Sequence, residues 1–305
     1  AVVLNDLQGV KDFLARDSPS CLIALPLTFE RQALGLIAFG GEADPFVCEA
    51  VRSQLSAALQ LGALHARVVE ETALRERLAS EQLLGELAVA RRIQTALIPK
   101  TVSVPGLELA VGMQPADQVG GDYFDVFNTD DGCWIGIGDV TGHGLLAGMI
   151  MLMMQSAVSA LVNGLPDASP SRIVSQLNRV LRLNIRERLG EADHATFAML
   201  RFRSDGRLML AGAHEDPIVY RVAQGRCERI ALGGVWLGIA ENIEADTSDQ
   251  NARLERGDIL LLYTDGLIEA RSATNEEFGI ERVEQVLCSS ARASAATIYE
   301  NLVSA

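Results

Sequence analysis

The chain lacks several features that would assign it to a class directly. Its five cysteines show no CxxC spacing and indicate neither a disulfide framework nor a zinc site; they are Cys21, Cys48, Cys133, Cys227 and Cys288. No basic stretch precedes an apolar run at the start, which argues against a signal peptide. The longest apolar run, 145–154, is short for a membrane span and predicts a buried helix. We therefore expect a cytoplasmic protein with reduced thiols and no membrane partner.

Positive charge is also scarce. The 305 residues include 26 Lys and Arg against 40 Asp and Glu, a net charge of −14. No basic stripe with interleaved aromatics is present, so nucleic acid is not expected as a partner. There is no GxxxxGK[ST] loop, no cysteine followed six positions later by arginine and no DxDx[TV] motif. These absences argue against P-loop ATPase, thiol-phosphatase and haloacid-dehalogenase-like mechanisms.

The first hundred residues predict a small sheet followed by a long helix. Residues 21–27 and 33–40 indicate two strands around a polar turn at 28–32, and Gly40, Gly41 and Pro45 then break the chain before a helix that begins near Phe46. From 51 to 98 no proline occurs, and apolar residues recur at mixed threes and fours on a charged background. The pattern favours a coiled coil and a homodimer formed through this helix. The alternative is a helix that lies against the domain that follows it in the same chain.

Beyond Pro99 the pattern changes to strands and helices of ordinary length. A helix is predicted over 145–163, and a second begins at Ser169 and Pro170 and stops at Gly190. The predicted strands are 107–113, 122–127, 133–140, 195–203, 207–213, 217–223, 226–232 and 258–264. The last strand is nearly all apolar, as expected when both faces are covered. This order predicts an α+β layered domain rather than alternating βα units.

Three short segments each place an aspartate beside glycines at the end of an apolar strand. The aspartates are Asp122, Asp139 and Asp265. The strand fixes the Cα, while glycine allows a sharp turn so that neighbouring carbonyls can also face a cation. Mg²⁺ and Mn²⁺ take oxygen ligands, and two such ions about 4 Å apart can activate a water and clamp a phosphoryl group. Asp-Gly alone is common turn chemistry, so the hypothesis depends on the three segments together.

These segments belong to a longer series that spans roughly residues 88–305: AVARRIQTALIP, GGDYFDVF, GDVTGHG, AGAHEDPIVYR, GVWLGI and LLLYTDGLIEARS. In its order and spacing the series resembles the SpoIIE/RsbU branch of PPM-type protein phosphatases. The resemblance implies an α-β-β-α sandwich with a binuclear Mn²⁺ or Mg²⁺ centre between two sheets. It implies that Asp139 bridges the two metals beside the Val140 carbonyl, and that Asp122 and Asp265 complete the ligand set directly or through waters.

The resemblance also implies a reaction. A water activated by the metals would attack the phosphorus of a phosphoserine or phosphothreonine in line, without a covalent enzyme intermediate. The implied substrate is a phosphorylated anti-sigma-factor antagonist of the STAS type. The family usually has a further aspartate in a DD-type motif on a last strand, and no such strand follows before Ala305. We therefore expect the phosphatase domain to lack its last strand or strands and to hold one metal loosely.

The predicted domain order is a partial segment, a linker and a catalytic domain. Residues 1–50, which include LPLTFERQALGLIAF, resemble part of a GAF domain; 51–99 form the linker helix, and 100–305 form the phosphatase domain. In the family the helix that carries RRIQTALIP can act as a switch. Substitution of Gln94 or Ile93 is therefore expected to change basal activity without altering metal affinity.

Two histidines, His143 and His214, lie within the motif series. His143, in a glycine turn, could donate a proton to the leaving oxygen, but a hydrogen-bonding role in the loop is favoured; His214 is expected to be structural or at the rim, and neither is predicted as a metal ligand. Residues 142–147 fit GxGxx[GA], yet the second parallel strand of a dinucleotide-binding unit is replaced by helical sequence. The other rival is an inactive phosphatase fold that serves as a signalling or dimerisation module. Mn²⁺-dependent hydrolysis of p-nitrophenyl phosphate, and its loss in Asp139→Ala, would separate the two.

Overall fold

A computed structural model of the chain describes residues 2–4, 22–29, 32–40, 44–99, 102–114, 119–272 and 274–305. The chain divides into two compact units, 1–84 and 85–305, and each is described by itself. Cys21 and the predicted break at Gly41 lie outside the described residues.

The first unit contains a three-stranded antiparallel sheet. Its strands are β1 (Val2–Leu4), β2 (Leu22–Phe29) and β3 (Gln32–Gly40), in the order β1-β3-β2. The two strands predicted here are confirmed as a hairpin, and Phe29 pairs with Gln32, so paired backbone occupies part of the predicted turn. The strand β1 was not predicted. Leu27 and Ile37 are fully buried, which indicates that one face of this sheet is covered.

One long helix, α1 (Pro45–Leu97, 53 residues), runs through the boundary between the units. The absence of proline predicted this helix, and it begins where the sequence indicated. Many of its large apolar side chains are exposed, among them Leu61 (70% exposed), Val68, Leu74 and Leu78. Most helices in proteins are stabilised by apolar side chains that pack against another element, so a partner surface could cover these exposed side chains.

The second unit contains two antiparallel sheets. The larger has five strands in the order β10-β7-β6-β5-β4, and the smaller has three in the order β11-β8-β9. The strands are β4 (Tyr123–Thr129), β5 (Gly132–Val140), β6 (Ala195–Arg203), β7 (Arg207–Ala213), β8 (Ile218–Arg221), β9 (Arg226–Arg229), β10 (Gln250–Arg253) and β11 (Ile259–Leu261). The predictions for β6 and β7 match these bounds, whereas those for β8, β9 and β11 were too long.

Helices form the outer layers of this unit: α2 (Leu145–Gly164), α3 (Pro170–Arg182), α4 (Asp265–Ile268), α5 (Ile280–Ser289) and α6 (Ala295–Ser304). The start of α3 is as predicted, because Ser169 accepts a hydrogen bond from the Arg172 N–H and Pro170 occupies the first turn. The helix continues as a π-helical segment (Leu183–Leu189) and ends at Gly190, whose φ of 74° suits glycine.

Three apolar clusters separate four layers. The first packs α2 and α3 on one face of the large sheet and includes Ile150, Met154, Leu177, Trp134 and Phe197. The second lies between the sheets, where Cys133, Leu200 and Leu210 meet Leu260 and Leu262. The third packs the small sheet on α5 and α6 through Ile218, Tyr263, Val283, Leu287 and Ile298. Residues on alternate faces of β11 enter the second and third clusters, as its apolar sequence predicted. The result is the predicted α-β-β-α sandwich of the α+β class.

By length and composition alone, α2 could cross a membrane. Seven of its residues are buried, including Ile150, Met154 and Val158, and most of them belong to the first cluster. The packing is that of a core helix, which is how the sequence was interpreted.

The strand predicted at 107–113 was wrong. The backbone there makes only an isolated bridge between Val104 and Leu107. Leu107 and Leu109 pack on the second cluster, and Glu108 accepts a hydrogen bond of 2.9 Å from the Ala295 N–H at the start of α6. The alternating apolar residues are therefore satisfied by side-chain packing, without a partner strand.

Candidate functional site

The three aspartates singled out from the sequence lie at one end of the two sheets. Asp122 directly precedes β4, and Asp139 is the last residue but one of β5, with Tyr123 paired to Gly138 beside them. Asp265 begins α4 shortly after β11. The Thr264 side chain forms a hydrogen bond with the Asp122 carboxylate, which joins the segment before Asp265 to the large sheet. Residues far apart in the chain are thus brought together.

The charges of these carboxylates act on one another. Burial, followed by the negative charges of Asp122 and Asp265, raises the pKa of Asp139 to about 7, although the Val140 N–H opposes the shift. Burial also raises the pKa of Asp122; the hydrogen bond from Thr264 opposes this effect and the charge of Asp265 adds to it. Such mutual repulsion indicates a site that is suited to a positive charge.

A glycine keeps the space beside Asp139 open. A Cβ built on Gly121 would lie 2.8 Å from Asp139 Oδ1 and would overlap the Val140 carbonyl oxygen. The Val140 N–H donates to the Gly121 carbonyl oxygen at 3.3 Å, which fixes this close approach. A carboxylate and a carbonyl oxygen therefore border one space that no side chain fills. Oxygen donors of these kinds are those that Mg²⁺ and Mn²⁺ prefer.

The aspartates are neighbours but do not form a closed ligand shell. In the ranges that the structure describes, no group of three or more His, Cys, Asp or Glu side chains is already arranged to hold a metal ion. The donor types fit a hard divalent cation, and Asp265 is exposed at the surface of the site.

His214 connects the two sheets at this end of the molecule. Its Nδ1 lies 2.9 Å from Thr196 Oγ1, and its Nε2 lies 3.0 Å from the Tyr263 carbonyl oxygen. Because a carbonyl can only accept, Nε2 carries the proton and Nδ1 accepts from Thr196. Burial lowers the pKa of His214 to about 4, against the raising effects of the Tyr263 carbonyl and the Asp265 charge, so the ring is neutral near pH 7. Both ring nitrogens are used, which agrees with the structural role expected from the sequence.

Thr196 extends this connection to Asp139. The two residues are paired across β5 and β6, and the Asp139 N–H donates to Thr196 Oγ1 at 3.2 Å. A continuous path of hydrogen bonds therefore runs from the backbone of Asp139 through Thr196 and His214 to the Tyr263 carbonyl, two residues before Asp265. The path fixes the relative positions of two of the three aspartates.

The end of α1 contacts the same site through Gln94. This side chain is buried (3% exposed), its Nε2 donates to the Gly120 carbonyl oxygen at 2.7 Å, and its Oε1 accepts from the Gly120 N–H at 3.3 Å. Gly120 precedes Gly121 and Asp122. Gln94 therefore bonds to both backbone polar groups of Gly120 and holds the glycine segment in place. Its neighbour Ile93 is 47% exposed.

An aromatic surface borders the site. The rings of His194 and Trp236 stack with centroids 5.1 Å apart and planes 8° apart, and Trp236 is 47% exposed. The Thr141 hydroxyl bonds to the backbone of His194, next to the end of β5. His143 is exposed in the turn between β5 and α2. The exposed Trp236 ring is thus linked, through His194 and Thr141, to the end of β5 that carries Asp139, and it offers a contact for a bulky substrate.

Acidic residues that the sequence did not single out also lie here. Glu215 and Asp216 border an open depression of about 430 Å³ together with His214, Arg229 and Tyr263. Burial, then the charges of Asp265, Asp216 and Glu269, raise the pKa of Glu215. The signal for Glu215 was present in the AGAHEDP segment, but only His214 had been considered there.

Asp125, which shares the GGDYFDVF segment with Asp122, points elsewhere. It is 6% exposed and accepts hydrogen bonds from the Val126 N–H at 2.9 Å and from Gln155 Nε2 on α2 at 3.3 Å. Its contacts join β4 to α2, so its role is in packing.

Comparison with known proteins assigns the chain to a family. The family model described as Stage II sporulation protein E (SpoIIE) matches residues 129–305, more than half of the chain. The chain belongs to the SpoIIE family. The match starts at residue 129 and so does not bear on the GAF-like segment at 1–50, which stays a prediction.

Relatives and a solved structure agree with the SpoIIE assignment. Phosphoserine phosphatase RsbU of Bacillus subtilis (strain 168) is 26% identical over 231 residues, which are 73% of this chain and 66% of RsbU. Protein IcfG of Synechocystis sp. is 30% identical over 228 residues, 66% of this chain and 35% of IcfG. The chain thus spans about two thirds of RsbU and about a third of IcfG.

The fold comparison points the same way. The SiaA-PP2C domain of Pseudomonas aeruginosa superposes with a TM-score of 0.61 at 21% identity, over 74% of this chain and 89% of that domain. This likeness shows the PP2C-type sandwich fold. The resemblance to the SpoIIE/RsbU branch of PPM-type phosphatases, first indicated by the sequence motifs, is confirmed.

Proposed function

We propose that this SpoIIE-family chain is a metal-dependent protein serine/threonine phosphatase. The observation that carries the proposal is the convergence of Asp122, Asp139 and Asp265 at one end of two facing sheets, with the pKa of Asp139 raised to about 7 by burial and by the other two charges. Phosphoserine phosphatase RsbU, a relative over most of the chain, supports the same reaction.

The residues present fit two Mn²⁺ or Mg²⁺ ions. Asp139 and the Val140 carbonyl would hold a cation in the space that Gly121 leaves open, and Asp122 and Asp265 would contribute further carboxylate oxygens. When bound, such ions supply an activated water and neutralise charge on a phosphoryl group. Thr264 orients the Asp122 carboxylate, while Thr196 and His214 fix the backbone that carries Asp139.

The surroundings of the site suit a phosphoprotein. Trp236 and the first residues of α2, Leu145 and Leu146, are exposed next to the β5–α2 turn and could contact residues that flank a phosphoserine. The motif resemblance favours a STAS-type regulator as the substrate.

The exposed apolar side chains of α1 support a homodimer formed through this helix. Substitution of Leu74 and Leu78 by glutamate should convert a dimer to a monomer in light scattering after gel filtration, because charged residues oppose burial in a coiled-coil seam. A wild-type chain that is already monomeric would contradict the dimer.

The activity test compares p-nitrophenyl phosphate hydrolysis with and without Mn²⁺ in the wild type, Asp139→Ala and Asp130→Ala. Asp130 is an exposed aspartate in the turn at the opposite end of the β4–β5 hairpin, and so is a matched control. We expect Mn²⁺-dependent turnover in the wild type and in the control, and none above background in Asp139→Ala. Turnover absent from the wild type would favour the inactive signalling module instead.

A further inference from the structure

Two cysteines that are distant in the sequence meet at the edge of the third apolar cluster, against which Cys227 packs. Cys227 lies on the edge strand β9 and Cys288 lies near the end of α5, and their Sγ atoms are 3.5 Å apart. The other cysteines in the described ranges, Cys48 and Cys133, are buried. A close pair of thiols at a joint between two elements is the arrangement from which a disulfide can form with a small movement, since the S–S bond length is about 2.05 Å.

The two thiols differ in their surroundings. Cys288 is exposed, whereas Cys227 is half-buried against the third cluster, with its Sγ 3.9 Å from the Glu284 carbonyl oxygen. Burial, followed by the neighbouring Cys288 and Glu284, raises the pKa of Cys227 to about 12. Cys288 is therefore the thiol that an oxidant in solution can reach. Cys227 lies close enough to react afterwards with the oxidised sulfur of Cys288.

An ion pair also links α5 to β9 close to the two thiols. Arg229, two residues after Cys227, forms an ion pair of 2.8 Å with Glu284, one turn before Cys288. This pair holds α5 against β9 in the orientation in which the thiols meet. The sulfurs would have to approach by about 1.5 Å to bond, from 3.5 Å to the S–S length of about 2.05 Å.

We propose that Cys227 and Cys288 form a reversible thiol–disulfide site that is oxidised by a hydroperoxide. In the first step the Cys288 sulfur attacks a peroxide oxygen, giving a sulfenic acid and releasing water when the oxidant is hydrogen peroxide. In the second step Cys227 attacks the Cys288 sulfur, the S–S bond forms, and a second water leaves. The two thiols lose two electrons and two protons in total, and the peroxide is reduced to water. A dithiol reductant reverses the change.

The disulfide would tie the C-terminal helical layer to the small sheet. It would close a loop of roughly 60 residues that contains the segment of Asp265. A crosslink of this length restricts the unfolded chain, and for a unit of this size we expect the melting temperature to rise by roughly 5–15 °C. The site is independent of the phosphatase proposal, because neither cysteine is among the proposed metal ligands.

The test uses the full chain treated with hydrogen peroxide and then digested with trypsin under non-reducing conditions. Cleavage after arginine gives the peptides 227–229 (CER) and 283–292 (VEQVLCSSAR). We expect one crosslinked species that is two hydrogens lighter than their sum, its loss on addition of dithiothreitol, and a higher melting temperature only in the oxidised state. Cys288→Ser should lose both signals, whereas Cys48→Ala should keep them.

Four outcomes would overturn the proposal: five thiols that remain free after oxidation, a crosslink that involves another cysteine, a crosslink between two chains, or oxidation of Cys288 to sulfinic acid without a crosslink. Cys288 is exposed, so Cys288→Ser is expected to fold. A matching melting temperature of the reduced wild type and the reduced variant verifies this.

Discussion

Neutralisation of Asp139 should stabilise the metal-free protein while it abolishes the response to metal. In the absence of a cation, the folded state partly buries Asp139 and places it beside two other carboxylates, and these effects together raise its pKa from 3.8 to about 7. A raised pKa means that the folded chain binds more protons than the unfolded chain between these values. Stability is therefore lost as the pH rises from about 4 to about 7. Asp139→Asn removes this loss.

The size of the effect follows from the shift. About three pKa units at roughly 1.4 kcal/mol each give at most about 4 kcal/mol. Asp139 is only partly buried, so solvent screening reduces the expected gain to about 1–2 kcal/mol. For a unit of this size that gain corresponds to a rise in melting temperature of roughly 2–8 °C. The gain should be small near pH 4 and complete above about pH 7.

The assay is thermal unfolding in a chelator and in excess Mn²⁺, at about pH 5 and about pH 8, for the wild type, Asp139→Asn and the control Asp130→Asn. In the chelator at the higher pH, only Asp139→Asn should melt above the wild type. In Mn²⁺ the wild type should gain stability and Asp139→Asn should gain little, since ligand binding stabilises only a state that can bind. If Asp139→Asn melts at or below the wild-type temperature in the chelator, burial and charge repulsion do not destabilise the ionised Asp139 as argued above. A full response of this variant to Mn²⁺ would remove Asp139 from the ligand set.

Three further substitutions test other contacts. Gln94→Ala should lower kcat for p-nitrophenyl phosphate several-fold with an unchanged half-saturating Mn²⁺ concentration, because Gln94 holds Gly120 and is not a proposed ligand. Gln54→Ala, on an exposed part of α1, is the control. Unchanged kinetics in Gln94→Ala would reject the proposal that this end of α1 acts as a switch. His214→Ala should lower kcat roughly tenfold, with partial recovery in His214→Gln, which can still donate to the Tyr263 carbonyl; equal losses in both variants would contradict the positioning role. Asp258→Asn should cost about 2 kcal/mol in urea unfolding at pH 7, because the Asp258 side chain is only 2% exposed and pairs with Arg221 at 2.8 Å.

The pH dependence of the last effect has a defined sign. Burial raises the pKa of Asp258, but hydrogen bonds from Arg221 and from two backbone N–H groups outweigh burial and lower it below 3.8. A lowered pKa stabilises the fold above the unfolded value, and the contribution disappears as the pH falls through the folded-state pKa. The difference between Asp258→Asn and the wild type should therefore shrink below about pH 4, and a difference that is constant with pH would contradict this account.

The sequence predicted best those elements whose signals are local. The start of α3 follows from the capping chemistry of Ser169 and Pro170, and the bounds of β6 and β7 follow from apolar runs separated by the turn at 204–206. The aspartate segments were recognisable because three of them occur together within one motif series, whereas Asp-Gly alone is common turn chemistry. The spatial meeting of Asp122 and Asp265 was inferred from resemblance, since nothing local in either segment indicates which strands will be neighbours.

The errors arose where tertiary contacts decide the conformation. Residues 107–113 have strand-like alternation, yet Leu107 and Leu109 pack without a ladder partner. The edge strand β10 has the polar sequence QNAR and forms because β7 offers unpaired backbone groups beside it. The contact between Cys227 and Cys288 was also invisible in the sequence, because it depends on how α5 packs on β9.

The bridge made by His214 has a consequence for how this protein loses its function. The large sheet carries Asp122 and Asp139, and Asp265 follows the small sheet. The two sheets are held together by apolar packing and by a few hydrogen bonds such as those of His214. Loosening of the packing between the two sheets would separate Asp265 from Asp122 and Asp139 while the individual helices and hairpins survive. Turnover should therefore vanish at a milder denaturant concentration than the far-ultraviolet circular dichroism signal, which would make catalysis a sensitive reporter of sheet-to-sheet contact.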